Sequence, residues 1–279
     1  MRVPDAPSLT LLCALLAALL VWTAAASANQ IMFLRAQVEA LQELATALSR
    51  EVEAEKARFS EYKDAYMSLR EKVNERWKHA DPGLFVTPED PAVRRVVDEA
   101  NLTGDLWWDL EVLFKWVLIN INYRGDGLYP ILPNDPSRTL AFTKEVWQFP
   151  NETLSLGEGD CEDMALLLCS LIRCYGERAE CVSVRGSGGG HMAVQVPAVN
   201  GQVAILDPAG RYCSRSPEGR VGPGDVEVEV DAWLTRLKLM DEGVRIRVFS
   251  DRINQTFNSM REYLDWMRSR TLEDQPADM

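Results

Sequence analysis

Six cysteines and two histidines limit where thiol or imidazole chemistry can arise in this chain of 279 residues. Cys161 alone stands at the start of an expected helix, Cys161–Tyr175, where the positive end of the helix dipole lowers a thiol pKa. Its neighbours Asp160, Glu162 and Asp163 oppose thiolate formation, so the sulfur needs an imidazolium partner. His191 follows the run Gly186-Ser187-Gly188-Gly189-Gly190 and opens an expected strand, and Asp207 closes the next strand just before Pro208. The start of one antiparallel strand and the end of the next share a sheet edge, which predicts His191 and Asp207 as neighbours. A carboxylate there would fix the imidazole tautomer and stabilise the imidazolium. Thiol, imidazole and carboxylate in this order predict nucleophilic catalysis by Cys161. His79 falls at the end of a polar helical stretch with no acidic or thiol partner in view. Cys13 lies in an apolar run and behaves as a small hydrophobe. Cys169, Cys174 and Cys181 read as packing residues, or as a source of a disulfide after export, and spacing alone does not settle their state or that of Cys213.

These residues sit in a body of mixed helix and strand. Pro82-Gly83 and Thr87-Pro88-Glu89-Asp90-Pro91 break the chain and open it. Ala92–Ala100 and the strongly apolar Asp105–Ile121 are predicted helices, and Arg124–Ser137 a long loop. Leu156–Asp160 reads as a tight turn leading into the cysteine helix, which Gly176 ends. Strands are predicted at Glu180–Arg185, His191–Val196 and Gln202–Leu206, the last two joined through Asn200-Gly201. Beyond them the reading is a strand at Val226–Val230, a helix at Ala232–Met240, a strand at Val244–Phe249 and a helix from Asp251 to Arg268. A helix packed on an antiparallel sheet makes an α+β fold.

Two different segments precede this body. No charged residue occurs from Leu9 to Leu34, and Leu9–Ala28 alone would span about 30 Å as a helix, the thickness of a bilayer's hydrocarbon core. The favoured reading is an uncleaved single-pass anchor within residues 1–30, because apolar character resumes at Ile31. The alternative is a signal peptide cleaved after Ala26-Ser27-Ala28, giving a secreted protein. Arg2 and the amino terminus outweigh Asp5, which favours an extracytoplasmic body. The sequons at Asn101, Asn151 and Asn254 lean the same way. Residues 31–80 form a predicted coiled-coil stalk. From Leu34 to Arg76 a 4-3 spacing runs without slipping, broken only by Glu55 and Arg76, and would extend about 65 Å as a helix. Its expected role is homo-oligomerisation. The body is then 81–279, with a core at 92–210.

Charge separates the parts again. The net charge of −12 belongs wholly to residues 79–279, since residues 1–78 carry ten basic and ten acidic side chains. An acidic body argues against nucleic acid as a partner and mildly favours cationic or neutral substrates.

Taken together, Phe114–Tyr123 (FKWVLININY), Pro150–Gly176 with its Gly-Asp-Cys-Glu-Asp block, His191 and Leu206-Asp207-Pro208 resemble the transglutaminase-like superfamily of papain-like fold. The resemblance covers roughly residues 92–210. It implies Cys161 as nucleophile, His191 as general base and acid, and Asp207 as orienting residue, in acyl transfer through a thioester. It implies the Cys161 backbone N–H and an upstream side chain, Gln148 or Trp147, as oxyanion donors. Some bacterial members bind calcium beside the nucleophile, and Asp160 and Glu162 offer oxygen ligands of that kind. The simpler reading is that these acids complement a helix N-terminus, with no cofactor at all. The resulting expectation is a membrane-anchored peptidase or amidase acting on a protein or peptide. An amine-accepting transglutaminase and a non-catalytic binding module retaining the fold are the alternatives.

Overall fold

The computed structural model describes residues 6–78, 81–187, 189–239 and 244–273. His79, Gly188 and Met240 lie outside the described residues. Two compact units divide the chain at Ser68 and Leu69. In the first, an uninterrupted helix begins, α1 (Ala6–Lys78), whose last turns belong to the second unit. It is long and apolar enough near its N-terminus to cross a membrane. Farther along, the seam residues Val38, Leu41, Leu48, Val52 and Phe59 are all exposed.

In the body, α2 (Pro91–Glu99) and α3 (Leu106–Asn120) are capped by Asp90 and Asp105. Short strands follow: β1 (Asn122–Tyr123), β2 (Tyr129–Ile131) and β3 (Ala141–Thr143). The expected loop thus contains one arm of a β2–β3 hairpin. Helix α4 (Pro150–Leu156) is an addition to the sequence reading, entered through Pro150 at its first turn. Then come β4 (Glu158–Gly159) and α5 (Cys161–Tyr175). The rest of the body is β5 (Glu180–Gly186), β6 (Gly189–Pro197), β7 (Gln202–Asp207), β8 (Tyr212–Cys213), β9 (Gly224–Asp225), α6 (Val226–Leu237), β10 (Arg245–Phe249), β11 (Asn254–Phe257) and α7 (Met260–Glu273).

The main sheet runs β11-β10-β5-β6-β7-β8, with β9 also on β7, and every pairing in it is antiparallel. Alternate residues feed two cores. Met192, Val194, Ala204 and Leu206 join the core with α2, α3 and α5. Ala193, Val203, Ile205 and Ile246 join the core with α6 and α7. This alternation is the period-two geometry of a strand buried on both faces. The α+β arrangement expected from the pattern of helices and strands is present: a cysteine-bearing helix packed on an antiparallel sheet, after a long apolar N-terminal helix.

Helix α5 starts where Asp160 accepts from the Glu162 and Asp163 N–H groups and stops at Gly176, whose φ of 107° suits a residue without Cβ. Its sequence suggests one apolar stripe, but every residue from Asp163 to Ile172 is buried. The reason is position: β6 covers one side while α2, α3 and α4 cover others. Its far end is pinned by wholly buried Asp109, which accepts from the Thr103 and Gly104 N–H groups and the Tyr175 hydroxyl, each at 2.7 Å.

Two sequence expectations need correction. Val-Glu-Val-Glu-Val over 226–230 alternates like a strand, yet it opens α6. Asp225 caps it, accepting from the Glu227 and Val228 N–H groups, and Val226, Val230, Trp233 and Leu234 form the buried face at helical spacing. Val228, which a strand would bury with them, is 63% exposed. Second, the helix expected to start at Asp251 begins only at Met260. Asn254–Phe257 pairs instead with β10, as an edge strand whose first three residues face solvent and so carry no apolar signature.

Candidate active site

The entrance to α5 is built from several strands and loops. The two-residue parallel pairing of β1 with β4 sets Tyr123 opposite Gly159, just before the helix cap. Asp160 caps the helix, and Asp163 closes a capping box by accepting from the Asp160 N–H. The other Asp163 oxygen accepts from the Gln148 N–H at 2.7 Å, which ties the upstream loop to the first turn of α5. Asp163 is wholly buried, and burial followed by the neighbouring Asp160 charge pushes its carboxyl up to about 7.

Cys161 emerges from this turn only 8% exposed. The Met192 backbone N–H, in β6, lies near the thiol and acts weakly to lower its pKa. In this conformation the thiol donates to Glu162 Oε2 at 2.8 Å rather than to His191. Burial, then the Glu162 charge, then Asp160 drive the thiol far above its ordinary value, so the resting sulfur is protonated. Asp160 itself is pushed up to about 8 by burial and by Glu162, and burial raises Glu162 as well. Burial and these acids together oppose the thiolate that a helix N-terminus would favour.

That balance yields a test. Glu162→Gln removes a charge that raises the thiol, so it lowers the thiol pKa and increases the thiolate fraction at pH 7. Alkylation of Cys161 by iodoacetamide, followed by peptide mass spectrometry on the folded full chain, should speed up roughly three- to fourfold for each unit the thiol falls, the tenfold gain in thiolate being partly offset by its lower intrinsic nucleophilicity. An unchanged rate would show that Glu162 does not control the sulfur.

β6 and β7 pair antiparallel from Val194 and Leu206 onward, and the two strand ends place His191 Nε2 2.8 Å from Asp207 Oδ2. Asp207 is wholly buried. Its Oδ1 accepts from the Gly210 N–H at 2.7 Å, and Oδ2 also accepts from Trp233 Nε1 at 2.9 Å. It accepts from all three partners, which puts the imidazole proton on Nε2 and leaves Nδ1 as the acceptor. Gly210 has to be glycine for this contact, because a Cβ there would overlap the Asp207 carboxylate.

The remaining sequence candidates divide. Trp147 packs in the core, stacked on Phe249 with ring centroids 5.7 Å apart and edge-on to Phe85 at 5.4 Å. Gln148 is anchored through its backbone to Asp163, and among the described residues its buried Oε1 has no hydrogen-bond partner. Asp160, Cys161 and Glu162 bring one potential ligand atom each within 4.8 Å of one another. The two carboxylates suit a hard cation such as calcium and the sulfur does not, while one Asp160 oxygen is already engaged by the helix cap. The sequence names Asp163 only as an acid opposing the thiolate, not as the residue that closes the cap and holds Gln148, and it does not single out Trp233. The first had a local signal, an acid three residues after a capping Asp, whereas the second lay in a segment read as the end of a strand and start of a helix.

No family model matches the chain, and no curated protein matches it. Among solved structures, a candidate cysteine protease from Cytophaga hutchinsonii is similar at 14% identity and a TM-score of 0.32, covering 63% of this chain and 52% of that one. A candidate protease from Parabacteroides distasonis shows 14% identity and a TM-score of 0.35 over 67% of this chain and 29% of that one. Calcium-bound LapG from Legionella pneumophila shows 17% identity and a TM-score of 0.30 over 64% of this chain and 99% of that one. The chain thus spans about half of the first of these proteins and under a third of the second, and the likeness to all three is loose.

Proposed function

We propose that the chain is a membrane-anchored thiol hydrolase that cleaves an amide in a protein or peptide through a Cys161 thioester. The observation that carries this reading is the His191–Asp207 pair, locked by two further donors at the edge of the sheet on which the Cys161 helix packs. His191 Nδ1, freed by the proton on Nε2, is the base. Turnover begins when the thiol leaves Glu162 and passes its proton to Nδ1. The sulfur attacks the amide carbon, and the oxyanion is met by the Cys161 N–H and the Gln148 amide. Collapse breaks the C–N bond as the imidazolium protonates the departing amine. Water, deprotonated by the neutral imidazole, then attacks the thioester, releasing a carboxylic acid and restoring the thiol.

Cleavage of a peptide library by the full chain in detergent tests this, with a fluorescent amine added in parallel. New amino termini support hydrolysis, amine incorporation into glutamine-containing peptides would instead indicate a transglutaminase, and neither product would sink both. The non-catalytic reading draws on the Glu162–thiol bond, since a protonated, tethered sulfur is a poor nucleophile. It predicts peptide binding that is unaffected by Cys161→Ala.

The apolar start of α1 supplies the anchor, and its exposed 4-3 seam supplies a parallel coiled coil with other copies of the chain. Replacing Leu41 and Leu48 together by lysine should reduce the oligomer to monomer in analytical ultracentrifugation of the detergent-solubilised chain. An unchanged sedimentation coefficient would remove the stalk from assembly.

A further inference from the structure

The Asp207 carboxylate is shared in an unequal way. Gly210 takes Oδ1, while His191 and Trp233 both donate to Oδ2. Trp233 is wholly buried among Val203, Ile205 and Val230, so its indole cannot swing away. Its ring stands 6.2 Å from the His191 ring at 51°, so the two communicate through the carboxylate rather than by stacking. The indole comes from α6, anchored to the far face of the sheet by the Asp225 cap and by Val226, Val230 and Leu234.

We propose that Trp233 is a positioning residue for the His191–Asp207 pair, its indole N–H competing with the imidazole for one Asp207 oxygen and so fixing the carboxylate's orientation and the strength of its hold on His191. Two donors on one oxygen divide its negative charge, and each bond is weaker than either would be alone. Without the indole, Oδ2 binds the imidazole Nε2–H more strongly, but the carboxylate loses one of three fixed points and can rotate. Nδ1 then presents itself to the thiol over a wider range of angles, which lowers turnover without touching substrate contacts. This assignment rests on the thiol-hydrolase reading for its effect on rate, but not for its effect on hydrogen bonding.

The experiment uses the full chain in detergent, labelled with ¹⁵N-histidine; only two histidines contribute, which keeps the spectrum simple. In Trp233→Phe, which keeps an aromatic ring and drops the donor, the His191 Nε2–H proton should move downfield. Turnover should fall roughly tenfold with KM unchanged, the pattern of a lost transition-state interaction. An unmoved Nε2–H proton in the folded variant would overturn the proposal, as would unchanged turnover in an active enzyme. If Trp233→Phe does not fold, Asp207→Asn serves with ¹⁵N-tryptophan labelling. One of the eight indole N–H resonances should then shift upfield as its charged acceptor is lost, and eight unmoved resonances would overturn the assignment. Neither resonance needs turnover, so loss of the hydrolase reading and loss of the Trp233 assignment give different results.

Discussion

Cys161→Ala lowers the rate of new amino-terminus production from a peptide library by roughly 10⁴-fold or more, the scale at which removal of a nucleophile leaves only binding and oxyanion contacts. The expectation follows from where the sulfur lies. It is the thiol at the start of α5, the helix packed on β6, whose edge carries a buried carboxylate and an oriented imidazole. The control is Cys169→Ala, which removes a wholly buried sulfur from the middle of the same helix and should leave the rate within a few-fold. Because that substitution also leaves a small cavity, melting temperatures should be compared alongside. Equal cleavage by the Cys161→Ala and wild-type chains would place the chemistry elsewhere.

Asp207→Asn should cost almost as much, roughly 10⁴-fold in turnover with little change in KM. The carboxylate accepts three hydrogen bonds and donates none, which puts the proton on His191 Nε2. An asparagine amide has one oxygen and one NH₂. Gly210 and Trp233 donate to different carboxylate oxygens, so only one of them can still be met; with the amide oxygen kept on Gly210, the NH₂ faces Trp233 and His191, and of these only the imidazole can accept. That moves the imidazole proton to Nδ1, the atom that must receive the thiol proton. The imidazolium also loses its stabilising charge. A mutant within tenfold of wild type would mean that Asp207 serves the packing of β7 and α6 alone.

The two predictions rest on features of unequal legibility. Helix α5 was readable to the residue because its signals are local: an Asp before it, a Gly after it and an apolar run between. The strands around His191 and Asp207 were readable because Asn200-Gly201 joins two apolar runs, and antiparallel pairing places their ends together. The alternation at 226–230 failed as a guide because period two and period 3.6 coincide over so few residues. Val226 and Val230 satisfy both, and only the exposure of Val228 separates them. β11 left no signal because an edge strand with exposed side chains needs no apolar pattern. Of the oxyanion candidates, Trp147 and Gln148 are adjacent in sequence but differ in environment, one stacked in the core and the other tied to Asp163.

The sequence by itself determined the residue types and their order: a thiol at a helix start, an imidazole and a carboxylate at strand ends, an acidic body behind a charge-balanced apolar and heptad-bearing segment. It also showed that the nearby acids act against the thiol. Only the tertiary structure decided how that conflict is arranged, with the thiol resting on Glu162 and the Asp207 carboxylate gripped by Gly210 and by Trp233, 26 residues downstream. The physical reason is range. Caps, turns and strand periodicity act within a few residues and leave a mark in the chain, whereas the partners of a buried charge are whichever donors the packing of distant elements brings to it.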